Sequence, residues 1–214
     1  PSPISKSISG IQPGELIVGL DFRPANGQLY ALGSSNRIYT INTSSGAAAA
    51  VGSGPFTPAL SGSDFGFDFN PTVDRIRVVS NLGQNLRLHP ETGAVVFTDG
   101  ALNPGTPSIT GGAYTNNFAG ATTTTLFDID SNVDKLFRQD PPNSGGLVEI
   151  GSLGVNVEAA NGFDIGGASG TAYALLTVGG GTRVYTINLT TGAATAGAIF
   201  LTTPVRAMAV GLGF

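Results

Sequence analysis

The sequence contains no cysteine, no tryptophan and only one histidine among its 214 residues. The lack of cysteine excludes disulfides, thiolate catalysis and cysteine-ligated zinc sites. The one histidine, His89, leaves a single imidazole for any catalytic triad or metal site. Because His89 precedes a Pro-Glu-Thr-Gly segment at residues 90–93, we interpret it as a structural turn residue.

Charged side chains are also scarce. They make up 11% of the residues, with 10 Lys and Arg against 14 Asp and Glu and a net charge of −4, whereas an average globular protein has about 25% charged residues. The surface is therefore unusually neutral. Because no basic cluster is present to neutralise phosphates, we exclude nucleic acid as a partner.

Long hydrophobic runs and helical patterns are missing as well. The longest apolar runs fall far short of the roughly 20 residues that cross a bilayer, so we expect no membrane span. Apolar residues show no period of 3.6, and 32 glycines and 13 prolines interrupt the chain too often for helices. This composition predicts an all-β protein with almost no helix.

The sequence is instead rich in internal repeats. Residues 37–48 and 183–194 are nearly the same, and each copy follows a short apolar strand and, before it, a Gly-x-Asp-Phe-like segment. One such unit cannot bury its own apolar face and must stack on its neighbours. The units recur at a spacing of roughly 44 to 50 residues, which is typical of four-stranded propeller blades.

We therefore predict a single domain, residues 1–214, that forms a five-bladed β-propeller. Four near-complete blades are expected at residues 15–53, 64–99, 108–152 and 160–200. The fifth blade is expected to be shared by two terminal strands, at residues 4–11 and 205–212, and to be incomplete within the chain because two strands are missing.

Three segments also carry a family resemblance. Residues 66–80 read Gly-Phe-Asp-Phe-Asn-Pro-Thr-Val-Asp-Arg-Ile-Arg-Val-Val-Ser, residues 29–33 read Leu-Tyr-Ala-Leu-Gly, and residues 84–88 read Gln-Asn-Leu-Arg-Leu. With these segments the chain resembles, over essentially its whole length, the bacterial family called domain of unknown function 4394. The resemblance implies a propeller-like, exported or surface-associated protein with no established activity or catalytic residues. Family members carry a further Leu-Tyr-Ala-Leu-type segment ahead of the part equivalent to Ile4, which corresponds to the two missing strands.

Three aspartates recur at equivalent places in the repeats: Asp21, Asp68 and Asp164. A cluster of them near the ring axis would suit a hard cation such as Ca²⁺, which prefers oxygen ligands. Alternatively, each carboxylate accepts backbone N–H groups and fixes a turn. We favour the second interpretation, because no dense Asp-x-Asp-x-Asp-Gly loop accompanies these residues.

A second acidic group, Asp128, Asp130 and Asp134, comes nearest to a calcium-binding loop. It lacks the central glycine and the closing glutamate of such loops, so a strand-turn-strand is the favoured interpretation.

Unit two contains three arginines, Arg75, Arg77 and Arg87, which would form a cationic patch suited to carboxylates or sugars. They would equally pair with acidic neighbours on a solvated face, where such ion pairs contribute about 0 to 1 kcal/mol. We prefer the solvated face.

The chain begins with proline, is rich in Gly, Ser, Thr and Asn, and has few lysines, which indicates a secreted, bacterial, cell-surface protein. Our favoured hypothesis is a non-catalytic structural protein that assembles into a homo-oligomer or filament by strand complementation of the open blade. The expected interface residues are Ile4, Ile8 and Ile11 at one end and Val205, Ala207 and Ala209 at the other.

The alternative hypothesis is a module that binds carbohydrate or a surface polymer through loops at one end of the ring. A hydrolase or lyase is less favoured, because the sequence contains no nucleophile elbow, phosphate loop or dinucleotide fingerprint. We expect no enzyme activity, no catalytic residue and no cofactor other than a candidate Ca²⁺.

Overall fold

The computed structural model describes residues 4–201 and 205–213. Within these residues the chain forms sixteen β-strands and one short 3₁₀ helix, Pro142–Ser144. The strands make four separate antiparallel sheets, and in each sheet four strands that are consecutive in the chain lie side by side.

The four sheets are the blades of a propeller. Blade 1 contains β1 (Ile17–Phe22), β2 (Leu29–Gly33), β3 (Arg37–Ile41) and β4 (Ala48–Val51). Blade 2 contains β5 (Phe65–Asn70), β6 (Arg75–Ser80), β7 (Asn85–Leu88) and β8 (Val95–Thr98). Blade 3 contains β9 (Ile109–Tyr114), β10 (Leu126–Asp130), β11 (Lys135–Gln139) and β12 (Leu147–Ser152). Blade 4 contains β13 (Ala159–Ile165), β14 (Ala172–Val178), β15 (Gly181–Ile187) and β16 (Ala194–Leu201).

These blades lie where the repeats predict them, and the predicted near-absence of helix is confirmed. The repeated turn between third and fourth strands has a local cause. The side-chain oxygens of Asn42 and Asn188 each accept a backbone N–H from two residues further along the chain, at 2.9 Å in both cases. His89 occupies the same place in blade 2, where its Nδ1 accepts the N–H of Glu91 at 3.2 Å.

The first strand of each blade lies innermost. β1 packs against β5, β5 against β9, and β9 against β13. Buried side chains between blades form the main hydrophobic clusters, one joining blades 1 and 2 and another joining blades 3 and 4. The ring thus seals its interior through contacts between blades, as the repeats require.

The predicted fifth blade is not shown by the described residues. Residues 205–211 contain no assigned strand, although they lie beside β13 and β1. Residues 4–11 lie elsewhere: Ser9 forms an isolated parallel bridge with Ala47 at the outer edge of blade 1. This close approach needs a glycine at position 10, where a Cβ would lie 2.3 Å from the carbonyl oxygen of Ala48.

Among the described residues, no helix is long and apolar enough to span a membrane.

Glycines allow the inner strands to approach one another. A Cβ on Gly66 would lie 2.5 Å from the backbone nitrogen of Gly112 in the next blade, closer than packed atoms tolerate.

We therefore expect Gly66→Ala to destabilise the protein by about 1 to 3 kcal/mol, the typical cost of overpacking a core. Gly54→Ala is the matched control, because a Cβ there would have no atom within 4 Å. Urea denaturation of both variants checks this, and equal midpoints would contradict it.

Candidate metal centre on the propeller axis

Three aspartates from three blades meet on the propeller axis. Asp21, Asp68 and Asp164 occupy equivalent places near the ends of β1, β5 and β13, and each is no more than 1% exposed. One carboxylate oxygen from each lies within 4.8 Å of the others. The structure therefore brings together the three aspartates that the repeats single out.

Each of these carboxylates joins two neighbouring inner segments of the ring. Asp21 Oδ2 accepts the backbone N–H of Phe69 at 2.7 Å, and Asp68 Oδ1 accepts the N–H of Tyr114 at 3.0 Å. Asp164 Oδ2 accepts the N–H of Val210 at 2.5 Å. The carboxylates do accept backbone N–H groups, as one interpretation of the sequence expects, but these bonds link adjacent units rather than fix turns.

Blade 3 has no aspartate at the equivalent place on its inner strand, and its buried carboxylate, Asp128, lies outside the group of three. Where the other inner strands carry aspartate, β9 carries Ala113, and Asp128 comes from β10, opposite Gly112. Gly112 leaves room for this side chain, since a Cβ there would lie 2.8 Å from Asp128 Oδ1. Asp128 is fully buried, and neither of its carboxylate oxygens has a hydrogen-bond partner among the described residues.

An amide side chain lies beside the cluster. Asn117, in the loop after β9, is 1% exposed, and its side chain favours the charged form of Asp21, which opposes the rise in the pKa of that carboxyl. Its Oδ1 atom is buried without a partner among the described residues. Asn117 has no counterpart in the other repeats, so the sequence gives no signal for its role.

Burial raises the pKa of all four carboxyl groups. For Asp21 the charge of Asp164 adds to the effect of burial, and for Asp68 the charges of Asp21 and Asp164 do so. Burial raises the pKa of Asp164 to about 7 and that of Asp128 to about 8, although Arg77 opposes the shift at Asp128. Near neutral pH, the cluster therefore holds protons or requires a positive ion.

The other predicted acidic residues lie outside this cluster. Asp130 accepts the N–H groups of Ser108 and Asn132, each at 2.9 Å, and Asp134 accepts the N–H of Val157 at 2.7 Å. Both aspartates therefore hold turns and loops around blade 3. Their arrangement matches a strand-turn-strand rather than a calcium-binding loop.

Arg77 differs from its prediction. It does not lie on a solvated face but is 2% exposed between blades 2 and 3. It bonds Asp99 at 2.6 Å, Asn85 at 2.7 Å and, across the blade contact, Asn143 at 2.8 Å. The sequence misses this network because its members lie far apart in the chain, with Asn85 on β7, Asp99 after β8 and Asn143 between β11 and β12, and only the packing of the blades brings them together.

The chemistry of the axial cluster is narrow. It offers oxygen atoms only, without imidazole or thiolate, and its carboxylates are closed off from solvent. Such a site can hold protons or a hard cation. It gives no entry to a large substrate.

A ring of four-stranded antiparallel sheets around an axial cluster defines a β-propeller. The chain belongs to the family described as domain of unknown function 4394, DUF4394, whose sequence profile matches residues 1–209. This match confirms the resemblance noted in the sequence. No curated protein matches the chain.

Solved structures share the fold at low sequence identity. A structural genomics protein of unknown function from Bacteroides thetaiotaomicron is 14% identical, with a TM-score of 0.53 over 84% of this chain and 47% of that one. A GH43 glycoside hydrolase, engineered as an endo-xylanase and exo-arabinofuranosidase, is 16% identical, with a TM-score of 0.50 over 88% of this chain and 42% of that one. The chain thus spans less than half of the length of either, and the likeness concerns the fold alone.

The burial of Asp128 makes the stability of the protein depend on pH. An unfolded aspartate has a pKa of about 3.9, whereas the folded pKa is about 8. Between these values the folded state binds the extra proton, so its free energy of unfolding falls as pH rises. We expect Asp128→Asn to reduce this fall and to be more stable than the wild type at pH 8.

Denaturant titrations at about pH 4, 6 and 8 measure the free energy of unfolding across the range between the unfolded and folded pKa values. Asp140→Asn, at an exposed aspartate, is the control. A pH dependence identical in Asp128→Asn and the wild type would exclude Asp128 as a source of the slope.

Proposed function

We propose that the protein is a non-catalytic structural propeller, exported to the bacterial cell surface, that assembles with copies of itself by strand complementation. The observation that carries this proposal is the segment at residues 205–211, which lies beside β13 and forms no backbone hydrogen bond with a strand among the described residues.

This segment continues the pattern of the inner strands. The N–H of Val210 bonds Asp164 as the N–H groups of Phe69 and Tyr114 bond the preceding aspartates. Gly162 admits the segment closely, since a Cβ there would lie 2.5 Å from the backbone nitrogen of Met208. These two contacts support our proposal that the segment acts as the first strand of a fifth blade.

Its outer side is open. Among the described residues, the backbone of residues 205–213 makes no hydrogen bond with another backbone group. The side chains of residues 205–212 are mostly half-buried, whereas those of β5 and β9 are almost all buried. An unpaired inner strand with partly exposed apolar side chains is a template for strand addition.

The chain also carries a candidate donor. In residues 4–11, Ile4 is 82% exposed and Ile8 is 40% exposed, and only Ser9 pairs with a strand. We propose that residues 4–11 of one copy add to residues 205–211 of the next. Such a head-to-tail contact uses two different surfaces, so it extends into rings or filaments.

Burial of the axial carboxylates supports the non-catalytic part of the proposal. A glycosidase needs two carboxyl groups that reach the sugar, whereas Asp21, Asp68 and Asp164 are closed off from solvent. The neutral composition and the absence of cysteine are compatible with a surface protein that packs closely with its copies.

Assembly predicts a concentration-dependent mass. In an extended strand, alternate N–H groups point to opposite sides; because the N–H of Val210 points to Asp164, that of Ala209 points outward. We expect Ala209→Pro, which removes this N–H, to abolish the oligomers that native mass spectrometry detects for the wild type. Ala209→Val keeps the N–H and should retain them. If the wild type stays monomeric at high concentration, assembly is refuted. This holds also if residues that precede Pro1 in a longer chain supply the missing strands.

A groove at one end of blade 3 favours a second candidate function, carbohydrate binding. It has a volume of about 550 Å³, within the usual range for ligand sites. Its lining is largely polar: Asn70, Thr72, Tyr114, residues 122–125, Leu126, Arg138, Gln139, Asp140 and Pro142. Two lining groups, Arg138 Nε and Gln139 Oε1, are buried without hydrogen-bond partners among the described residues, and sugar hydroxyls would satisfy both.

Glycan-array binding tests the second candidate. We expect Arg138→Ala to weaken binding by roughly 10-fold, the effect of losing one hydrogen bond to a charged group. Lys135→Ala is the control, because Lys135 lies on the same strand but bonds Glu149 at 2.9 Å, outside the groove lining. Equal binding by both variants, or none by the wild type, would rule out the groove as a glycan site.

A further inference from the structure

The axial cluster contains more acceptor atoms than the protein satisfies. Asp21 Oδ1 and Asp68 Oδ2 are buried and have no hydrogen-bond partner among the described residues. Buried carboxylate oxygens are normally paired, because an unpaired one loses its hydration without replacement. These atoms need either a proton or a positive ion.

Asn117 provides an independent indication of a ligand. Its side chain is almost fully buried and reaches Asp21, yet its Oδ1 has no partner among the described residues. The oxygen and nitrogen of an amide occupy nearly interchangeable positions. Rotation of the amide by half a turn would place Oδ1 against the carboxylate oxygens. Such a contact between oxygen atoms is favourable only when a cation or a proton donor lies between them.

From these observations we propose that Asp21, Asp68 and Asp164 bind one calcium ion on the propeller axis, with the Asn117 amide oxygen as a fourth ligand. Ligand oxygens lie about 2.3 to 2.6 Å from Ca²⁺, so two of them are at most about 5 Å apart. The three carboxylate oxygens, all within 4.8 Å of one another, satisfy this condition.

The ligand chemistry selects calcium over other cations. All four candidate ligands are oxygen atoms, which excludes the nitrogen and sulfur ligands that zinc and copper favour. The ligands come from different segments of the ring. No single loop sets them in a regular octahedron. Calcium tolerates such irregular geometry, whereas Mg²⁺ requires a near-ideal octahedron.

The proposed ion would act on the fold rather than on a substrate. Blades 1, 2 and 4 each supply one carboxylate, so a single ion would bridge three blades and neutralise the repulsion among them. This role is independent of strand complementation and of the groove on blade 3.

The test uses the whole chain, dialysed against a chelator at about pH 7.5, near the raised pKa values of the cluster. Native mass spectrometry counts bound metal, and thermal unfolding is followed with added calcium or magnesium. We expect one calcium ion per chain and a melting temperature that rises with calcium concentration, because an ion that binds only the folded state stabilises it. Magnesium should have a smaller effect.

Two variants locate the ion. Asp164→Asn should weaken calcium binding by at least about 10- to 100-fold, and Asn117→Ala, which changes only a loop, by at least about 10-fold, because even the loss of a residue that only orients a metal ligand weakens binding by about 10- to 100-fold. Asp140→Asn, at the protein surface, should bind as the wild type does.

The result can overturn the proposal in two ways. If neither ion binds the wild type at millimolar concentration, the carboxylates hold protons instead. If calcium binds equally well to Asp164→Asn and Asn117→Ala, the ion lies elsewhere on the protein. If Asp164→Asn fails to fold, Asn117→Ala decides the question.

Discussion

One interaction holds the ring together: a backbone N–H of one inner segment donates a hydrogen bond to a carboxylate on the inner strand before it. The inner edge of each first strand faces the axis, where no further strand can pair with it, so its buried N–H groups need other acceptors. Asp21, Asp68 and Asp164 supply them. The same geometry forces the carboxylates together, so the interactions that link the blades also concentrate negative charge at the centre of the ring.

Close packing around the axis imposes a second requirement, for small residues. Gly19 and Gly66 face the next blade so closely that a Cβ at either would overlap it. Gly112 instead makes room for the side chain of Asp128 on the neighbouring strand, β10. The glycines and aspartates of the inner strands therefore form one arrangement, because the glycines bring the strands close enough for each carboxylate to reach its neighbour.

The segment at residues 205–211 follows the same rule. The N–H of Val210 bonds Asp164 as the N–H groups of Phe69 and Tyr114 bond the other two aspartates, but no strand in the described part of the chain pairs with this segment. The side chains of this segment are mostly half-buried, whereas those of β5 and β9 are almost all buried. This difference in burial locates the open side of the molecule. The groove at the end of blade 3 is a separate feature, and its unsatisfied Gln139 and Arg138 groups do not contribute to the axis.

The repeats, the strands and the recurrence of aspartate can be read from the sequence, because alternation, turn residues and period are local properties of the chain. The sequence also singles out Asp21, Asp68 and Asp164, since a repeated position in a ring returns to the axis. The burial of Asp128 against Gly112, the position of Asn117 near Asp21 and the burial of Arg77 are set by the packing of the blades. Those placements depend on contacts between residues far apart in sequence, which no periodicity encodes. The same reason applies to residues 4–11, which lie at the outer edge of blade 1.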